Sequence, residues 1–103
     1  MKNKTFIIKT LNNKDPKSQT VVFEGDLGIK NAELIKTTVQ TLKFNSDSVS
    51  IHLKSVEKLD ITTIQTLRAM KIALTGKGKK INMIFELPHE IERLLKNTGF
   101  DKI

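Results

Sequence analysis

The sequence predicts an α/β domain in which a mixed four-stranded sheet carries its helices on one face. Its 103 residues fit a single domain, residues 1–103, with room for one modest core. Apolar patterns of strand and helix period alternate along the chain in the order ββαβαβα. Strand–helix–strand units predict parallel neighbours joined by right-handed crossovers, and an initial hairpin makes the sheet mixed.

The first two strands are predicted from runs of β-forming residues at 4–10 and 19–24. Residues 11–18 between them contain two Asn, an Asp and a Pro, which indicates a surface turn. We therefore expect the two strands to pair as an antiparallel hairpin. The two glycines within residues 25–28 are expected to break the second strand.

The first helix is predicted from apolar and small residues that recur at three-to-four spacing, and Asn31 is its candidate cap. The positions concerned are Ala32, Ile35, Thr38, Val39 and Leu42. A turn at residues 45–48 leads into the third strand. Residues 49–54 of that strand alternate between apolar and polar, so one face should be buried and the other should face solvent.

Asp60 is predicted to cap the second helix, roughly residues 61–75, by accepting from the amide of Thr62 or Thr63. Residues 81–86 form the fourth strand. The third helix begins with Pro88 at its first position, carries an apolar stripe and stops at a glycine. The stripe is Ile91, Leu94 and Leu95, and the stop is Gly99.

The glycine- and lysine-rich segment 76–80 has some of the composition of a phosphate-binding loop. A phosphate loop runs from a strand into a helix, so that amides at the helix start face the anion. Segment 76–80 instead leaves a helix and enters a strand, which indicates a helix stop with solvated lysines.

The formal net charge of +7, from 18 basic and 11 acidic residues, is compatible with an acidic partner. The lysines are spread along the chain, and Arg68 and Arg93 are its only arginines, although arginine is favoured for reading bases. We expect a solvated lysine surface that binds DNA weakly and without sequence preference at most, so no specific nucleic acid is a partner.

The residue types predict neither an enzyme nor a metal centre, and no cofactor is implied. The chain has no Cys, and neither His52 nor His89 has a second ligand at metal spacing. Each is interpreted as an ordinary surface histidine. The apolar run near the N-terminus is too short for a signal peptide and no stretch could span a membrane, so a cytoplasmic protein is expected.

Four features, in order and at matching spacing, resemble those of STAS domains, the fold of bacterial anti-sigma factor antagonists. The segment 59–64, Leu-Asp-Ile-Thr-Thr-Ile, resembles the family's strand, Asp, phosphorylatable Ser or Thr, small residue and apolar helix. The turn at 23–28 before Ala32, the glycines at 76 and 78, and the Pro88-to-Phe100 helix resemble the other three. The resemblance covers about residues 4–103.

Two positions depart from the family pattern. The phosphorylatable position directly after the Asp is occupied by Ile61, which has no hydroxyl, and the Asp of the family's first turn is replaced by Gly28. Both positions belong to the surface on which family members meet a kinase partner. Thr62 and Thr63 offer hydroxyls nearby, but hydrogen bonding at the helix start is their preferred interpretation, so no phosphorylation is expected.

The resemblance implies a non-enzymatic regulator that acts by protein–protein contact with a kinase-like anti-sigma factor. The implied contact residues are Gly28, Asn31, Asp60, Ile61, Thr62 and Thr63. We expect Ile61 to be at least partly exposed. One alternative is a cytoplasmic accessory subunit that binds the ATPase of an ABC-type transport complex. Another is binding of a nucleotide or lipid, which needs a pocket that a small fold with few aromatic residues makes less expected.

Overall fold

The computed structural model describes residues 6–12 and 17–98, and its elements follow the predicted order ββαβαβα. The strands are β1 (Phe6–Asn12), β2 (Ser18–Leu27), β3 (Ser48–Leu59) and β4 (Lys80–Glu86). The helices are a short 3-10 helix (Ile29–Asn31), α1 (Ala32–Thr41), α2 (Ile61–Gly76) and α3 (His89–Thr98). The predicted start of the first strand, most of the first turn and the Gly99 stop lie outside the described residues.

The four strands form one mixed sheet in the order β1-β2-β3-β4. β1 pairs antiparallel to β2, which confirms the predicted hairpin. β2, β3 and β4 are parallel neighbours, because α1 and α2 carry the chain back between them.

The core lies between the sheet and its helices, and alternate strand residues point into it. Val49, Ile51 and Leu53 of β3 are buried there, as the alternation predicted. The helices contribute Ile35 from α1 and four residues of α2. These are Ile64, Leu67, Met70 and Leu74. Ile91 of α3 packs against the same cluster, so the helices share one face of the sheet.

The other face of the sheet carries the intervening residues. Lys9, Val22, His52 and Ile84 are direct cross-strand neighbours in one row across it. His52 pairs with Glu86 of β4. The histidine therefore lies on the polar side of its strand, as predicted.

The expected break after residue 24 is wrong, because β2 continues to Leu27 and β3 continues to Leu59. Gly25 has φ +93° and Ser55 has φ +50°, and the register between the two strands shifts beside them. The extra residues lie on β3, because Val56 and Lys58 pair with the consecutive residues Gly25 and Asp26. Glycine tolerates a positive φ, so Gly25 lies opposite this bulge without ending β2. Both strands therefore continue to the edge of the sheet at which the loops after Leu27 and Leu59 begin.

The end of α2 is closed by a left-handed residue, as the glycines at 76 and 78 indicated. Gly78 has φ +83°, and its amide donates to the carbonyl of Thr75 over 2.9 Å. The next amide, that of Lys79, donates to the carbonyl of Leu74. This pair of bonds is a Schellman motif.

Candidate functional site

The loops that follow β2 and β3 lie side by side at one edge of the parallel sheet. Leu27 and Leu59, the last residues of the two strands, are register partners, and the Asp60 amide donates to the Leu27 carbonyl over 3.1 Å. The 3-10 helix after β2 packs against the start of α2. In parallel sheets, loops at the carboxyl ends of strands are common places for binding. We call this pair of loops the β2–β3 edge.

Asp60 fixes the start of α2. Its backbone is extended, and its Oδ2 accepts from the amide of Thr62 over 2.9 Å, which confirms the predicted cap. Its carbonyl accepts from the amide of Ile64 and so begins the helical hydrogen bonds. The cap therefore determines where the first turn of α2 lies relative to the sheet.

The loop after β2 is held by a buried carboxylate. Asp26 is 2% exposed, and its Oδ1 accepts from the Gly28 amide over 2.9 Å. The side chain of Asn31 donates to the Asp26 carbonyl over 2.8 Å. Asn31 does precede α1, but its side chain makes no cap bond, because it is committed to Asp26. Asn31 therefore occupies the N-cap position, as predicted, but does not make the side-chain bond expected of a cap.

Three large apolar side chains are exposed in this region. Ile61 is 52% exposed at the first position of α2, which confirms the exposure expected from the sequence. Ile29, just after Gly28, is 67% exposed, and Leu34 in the first turn of α1 is also exposed. Ile29 and Leu34 were not predicted from the sequence to be exposed. For Leu34 a signal was available, because this leucine lies outside the predicted apolar stripe of α1.

The other residues expected at the contact surface differ in accessibility. Asn31, Asp60 and Thr62 are half-buried, whereas Gly28 is buried. Thr63 is fully buried beneath the first turn of α2. The edge thus exposes Ile61 and Ile29 to solvent, while Gly28 and Thr63 lie underneath and support the loops.

The large side chains that the β2–β3 edge exposes are apolar. In residues 6–12 and 17–98, no group of three or more His, Asp or Glu side chains could hold a metal ion. Both histidines lie elsewhere, His52 on β3 beside Glu86 and His89 in the first turn of α3. No helix in the described ranges is long and apolar enough to cross a membrane.

A groove of about 630 Å³ runs between α1 and α2. The small size of the fold and its few aromatic residues made a large pocket less expected, and that expectation is wrong. Small side chains on the exposed side of α2 leave the space open. Ala69 and Ala73 line it there, and Val39 and Phe44 line the opposite wall.

No protein-family model and no curated protein sequence matches this chain, but solved structures do. An anti-sigma factor antagonist from Mycobacterium paratuberculosis is similar over 95% of this chain and 81% of its own, with a TM-score of 0.77 and 19% identity. An anti-sigma factor antagonist STAS domain from Rhodobacter sphaeroides is similar over 77% of this chain and 85% of its own, with a TM-score of 0.63 and 20% identity. The chain therefore has the STAS fold that its sequence motifs indicated.

Proposed function

We propose that this protein is a non-enzymatic regulator of the anti-sigma factor antagonist type, which binds a kinase-like anti-sigma factor in a bacterial cytoplasm. The observation that carries this proposal is the exposed Ile61 at the first position of α2, beside Ile29 on the neighbouring loop. The two structural neighbours, both named as anti-sigma factor antagonists, support the class of function.

Contact at the β2–β3 edge would derive its free energy mainly from apolar burial. Full burial of an isoleucine contributes about 1.5–3 kcal/mol, so Ile61 and Ile29, each at least half exposed, could together contribute a few kcal/mol. The supporting residues underneath are fixed by the Asp60 cap and the Asp26 hydrogen bond. A preformed surface loses little conformational entropy on binding.

The absence of a hydroxyl at Ile61 has a regulatory consequence. A phosphate at this position would add nearly two negative charges to the contact surface. Ile61 cannot carry one, the hydroxyl of Thr63 is buried where a kinase does not reach it, and Thr62 is half-buried in the first turn of α2. We infer that the protein stays permanently in its binding-competent form, so its abundance or its partner controls the complex.

The test is affinity capture from the native cell extract with three forms of the protein, followed by mass spectrometry and by binding measurements on the purified captured protein. The forms are the unsubstituted chain, Ile61→Asp and Ile72→Asp. Ile72 is the matched control, because it lies on the same helix, is 62% exposed and does not belong to the β2–β3 edge. A charge at Ile61 should weaken binding at least tenfold because it must be desolvated against an apolar contact.

Capture of a kinase-like anti-sigma factor by the unsubstituted chain and by Ile72→Asp, with loss for Ile61→Asp, is the expected result. Capture of a transporter ATPase with the same pattern would assign the edge to the alternative transport role. Equal capture by all three forms, or greater loss with Ile72→Asp, would contradict the role of this surface.

A further inference from the structure

The groove between α1 and α2 exists because the two helices differ in length. α1 has 10 residues and α2 has 16, about 15 Å and 24 Å of helix. Both leave the same edge of the sheet, so the last turns of α2 extend beyond α1. The segment from Leu42 to Asn45 forms the wall there. The lining follows α2 from Thr62 to Lys77, nearly its whole length.

The floor of the groove is apolar and one wall is smooth. Met70 and Leu74 are buried at its base, and Val39 and Phe44 are partly buried beside them. In the middle of α2 the exposed lining residues are Ala69 and Ala73, while the longer Gln65 and Lys77 lie toward its two ends. Small residues allow a second helix to approach to the 8–10 Å typical of packed helix axes.

The rim of the groove is positively charged. Four lysines line it and no described lining residue is acidic. They are Lys36, Lys43, Lys77 and Lys79. Lys79 bonds to the carbonyl of Ser46, whereas no ion pair between described residues involves the other three. Lys36 and Lys43 belong to the α1 side, and Lys77 lies at the far end of α2.

The distribution of charge indicates which ligand fits. A fatty acid has a single carboxylate and needs cations at one end of an apolar channel. Here the cations border both the α1 wall and the far end of an open groove along α2. That arrangement matches a ligand with several carboxylates along an apolar stripe, which is the pattern of an acidic amphipathic helix.

We propose that the groove between α1 and α2 is a second docking site, which binds an acidic amphipathic helix of a protein partner. Apolar residues of that helix would contact Val39, Phe44 and Met70, and its carboxylates would face the rim lysines. The groove meets the β2–β3 edge only at Thr62, and its rim lysines lie away from Ile61, so the protein could join two partners.

The probe is a synthetic peptide of about 15 residues, long enough to follow most of α2. Its leucines are spaced three and four residues apart and glutamates flank them. A second peptide has lysine in place of every glutamate, and a third has the acidic composition in scrambled order. Binding is followed through the backbone amide resonances of the ¹⁵N-labelled chain at low and high salt. In separate experiments, palmitate is added to test for a lipid ligand, and the protein is diluted to test for self-association.

We expect saturable binding of the acidic peptide with a Kd on the order of 100 μM, with shifts concentrated at Val39, Phe44, Ala69 and Ala73. The Lys43→Glu/Lys77→Glu double variant should weaken binding about tenfold or more. The matched control is Lys71→Glu/Lys96→Glu, which removes the same charge from lysines outside the groove and should bind nearly normally. High salt should weaken the complex.

Several results would overturn this assignment. They are equal binding of the lysine or scrambled peptide, equal weakening in both double variants, and shifts that map to another face. If palmitate binds and the acidic peptide does not, the groove is a lipid site. If the resonance shifts at the groove disappear on dilution, its occupant is a second copy of the chain. None of these outcomes bears on the capture experiment with Ile61→Asp, which tests the proposed regulatory function separately.

Discussion

The Gly28 amide nitrogen lies 2.9 Å from Oδ1 of Asp26, and a Cβ added to Gly28 would lie 2.9 Å from that same oxygen. The position that donates the hydrogen bond therefore has no room for a side chain. The Cβ of Lys58 on β3, at 3.3 Å, closes the other side. Asp26 is buried and cannot swing into solvent without breaking the bond. The family's aspartate at this position would place a second carboxylate beside the first.

Gly28→Ala should therefore lower the free energy of unfolding by about 1–3 kcal/mol, because Asp26 or Lys58 must shift to admit the methyl group. Urea unfolding measures the change. Gly76→Ala is the matched control, since a Cβ there meets nothing within 4 Å and alanine favours the helix. Equal stability of Gly28→Ala and the unsubstituted chain would show that the loop adapts freely.

Asp60→Ala should cost about 1 kcal/mol, because the Thr62 amide loses its acceptor at the start of α2. Asp60→Asn keeps a side-chain oxygen and should retain most of the stability. Thermal and urea unfolding of the three proteins gives the comparison. If Asn and Ala are equally destabilising, the charge of Asp60 rather than its hydrogen bond stabilises this end of the helix.

The order of elements could be predicted because each depends on local periodicity and on the chemistry of its ends. The cap at Asp60 followed from its residue type at the helix start, and the exposure of Ile61 followed from the resemblance to STAS domains. The continuation of β2 past Gly25 could not be predicted, because a glycine that ends a strand and one that lies opposite a bulge look alike in sequence. Pairing with β3 decides between them.

The site was only partly predictable for a similar reason. Asn31 has the residue type of a helix cap, but its side chain donates to the Asp26 carbonyl and makes no cap bond. The groove depends on the unequal lengths of α1 and α2 and on what lies opposite Ala69 and Ala73. These are tertiary relationships, and the local pattern of each helix alone does not contain them.

Thr63→Val should raise stability by about 1 kcal/mol. The Thr63 side chain is fully buried, and its Oγ1 has no hydrogen-bond partner among the described residues. A buried hydroxyl without a partner costs about 1–3 kcal/mol, and valine has nearly the same shape without it. Thr66→Val is the comparison, because that hydroxyl donates to the Thr62 carbonyl and its loss should bring no gain. Destabilisation by Thr63→Val would indicate a partner for this hydroxyl.

Ser55→Val should cost about 1–2 kcal/mol, since Ser55 has φ +50° in the bulge of β3 and a β-branched residue tolerates that backbone poorly. Ser55→Gly should be nearly neutral, because relief of strain offsets the entropy that glycine adds to the unfolded chain. Ser50→Val, in the regular part of the same strand, serves as the control and should not destabilise. Equal effects of valine at both positions would argue against strain at Ser55.

Ile61→Asp should change the free energy of unfolding by less than about 1 kcal/mol, because the isoleucine is half exposed and the first turn of α2 has no acidic residue. A carboxylate at a helix N-terminus gains about 0.3–1 kcal/mol from the helix dipole, and repulsion from Asp60 offsets part of that gain. Ile64→Asp, one turn further along at a position 4% exposed, should by contrast unfold the protein or cost several kcal/mol. Circular dichroism during urea unfolding separates the two.

If Ile61→Asp is as damaging as Ile64→Asp, Ile61 is a packing residue and its exposure does not serve a partner. If it is nearly neutral, any loss of capture by this variant reports on the contact surface rather than on folding.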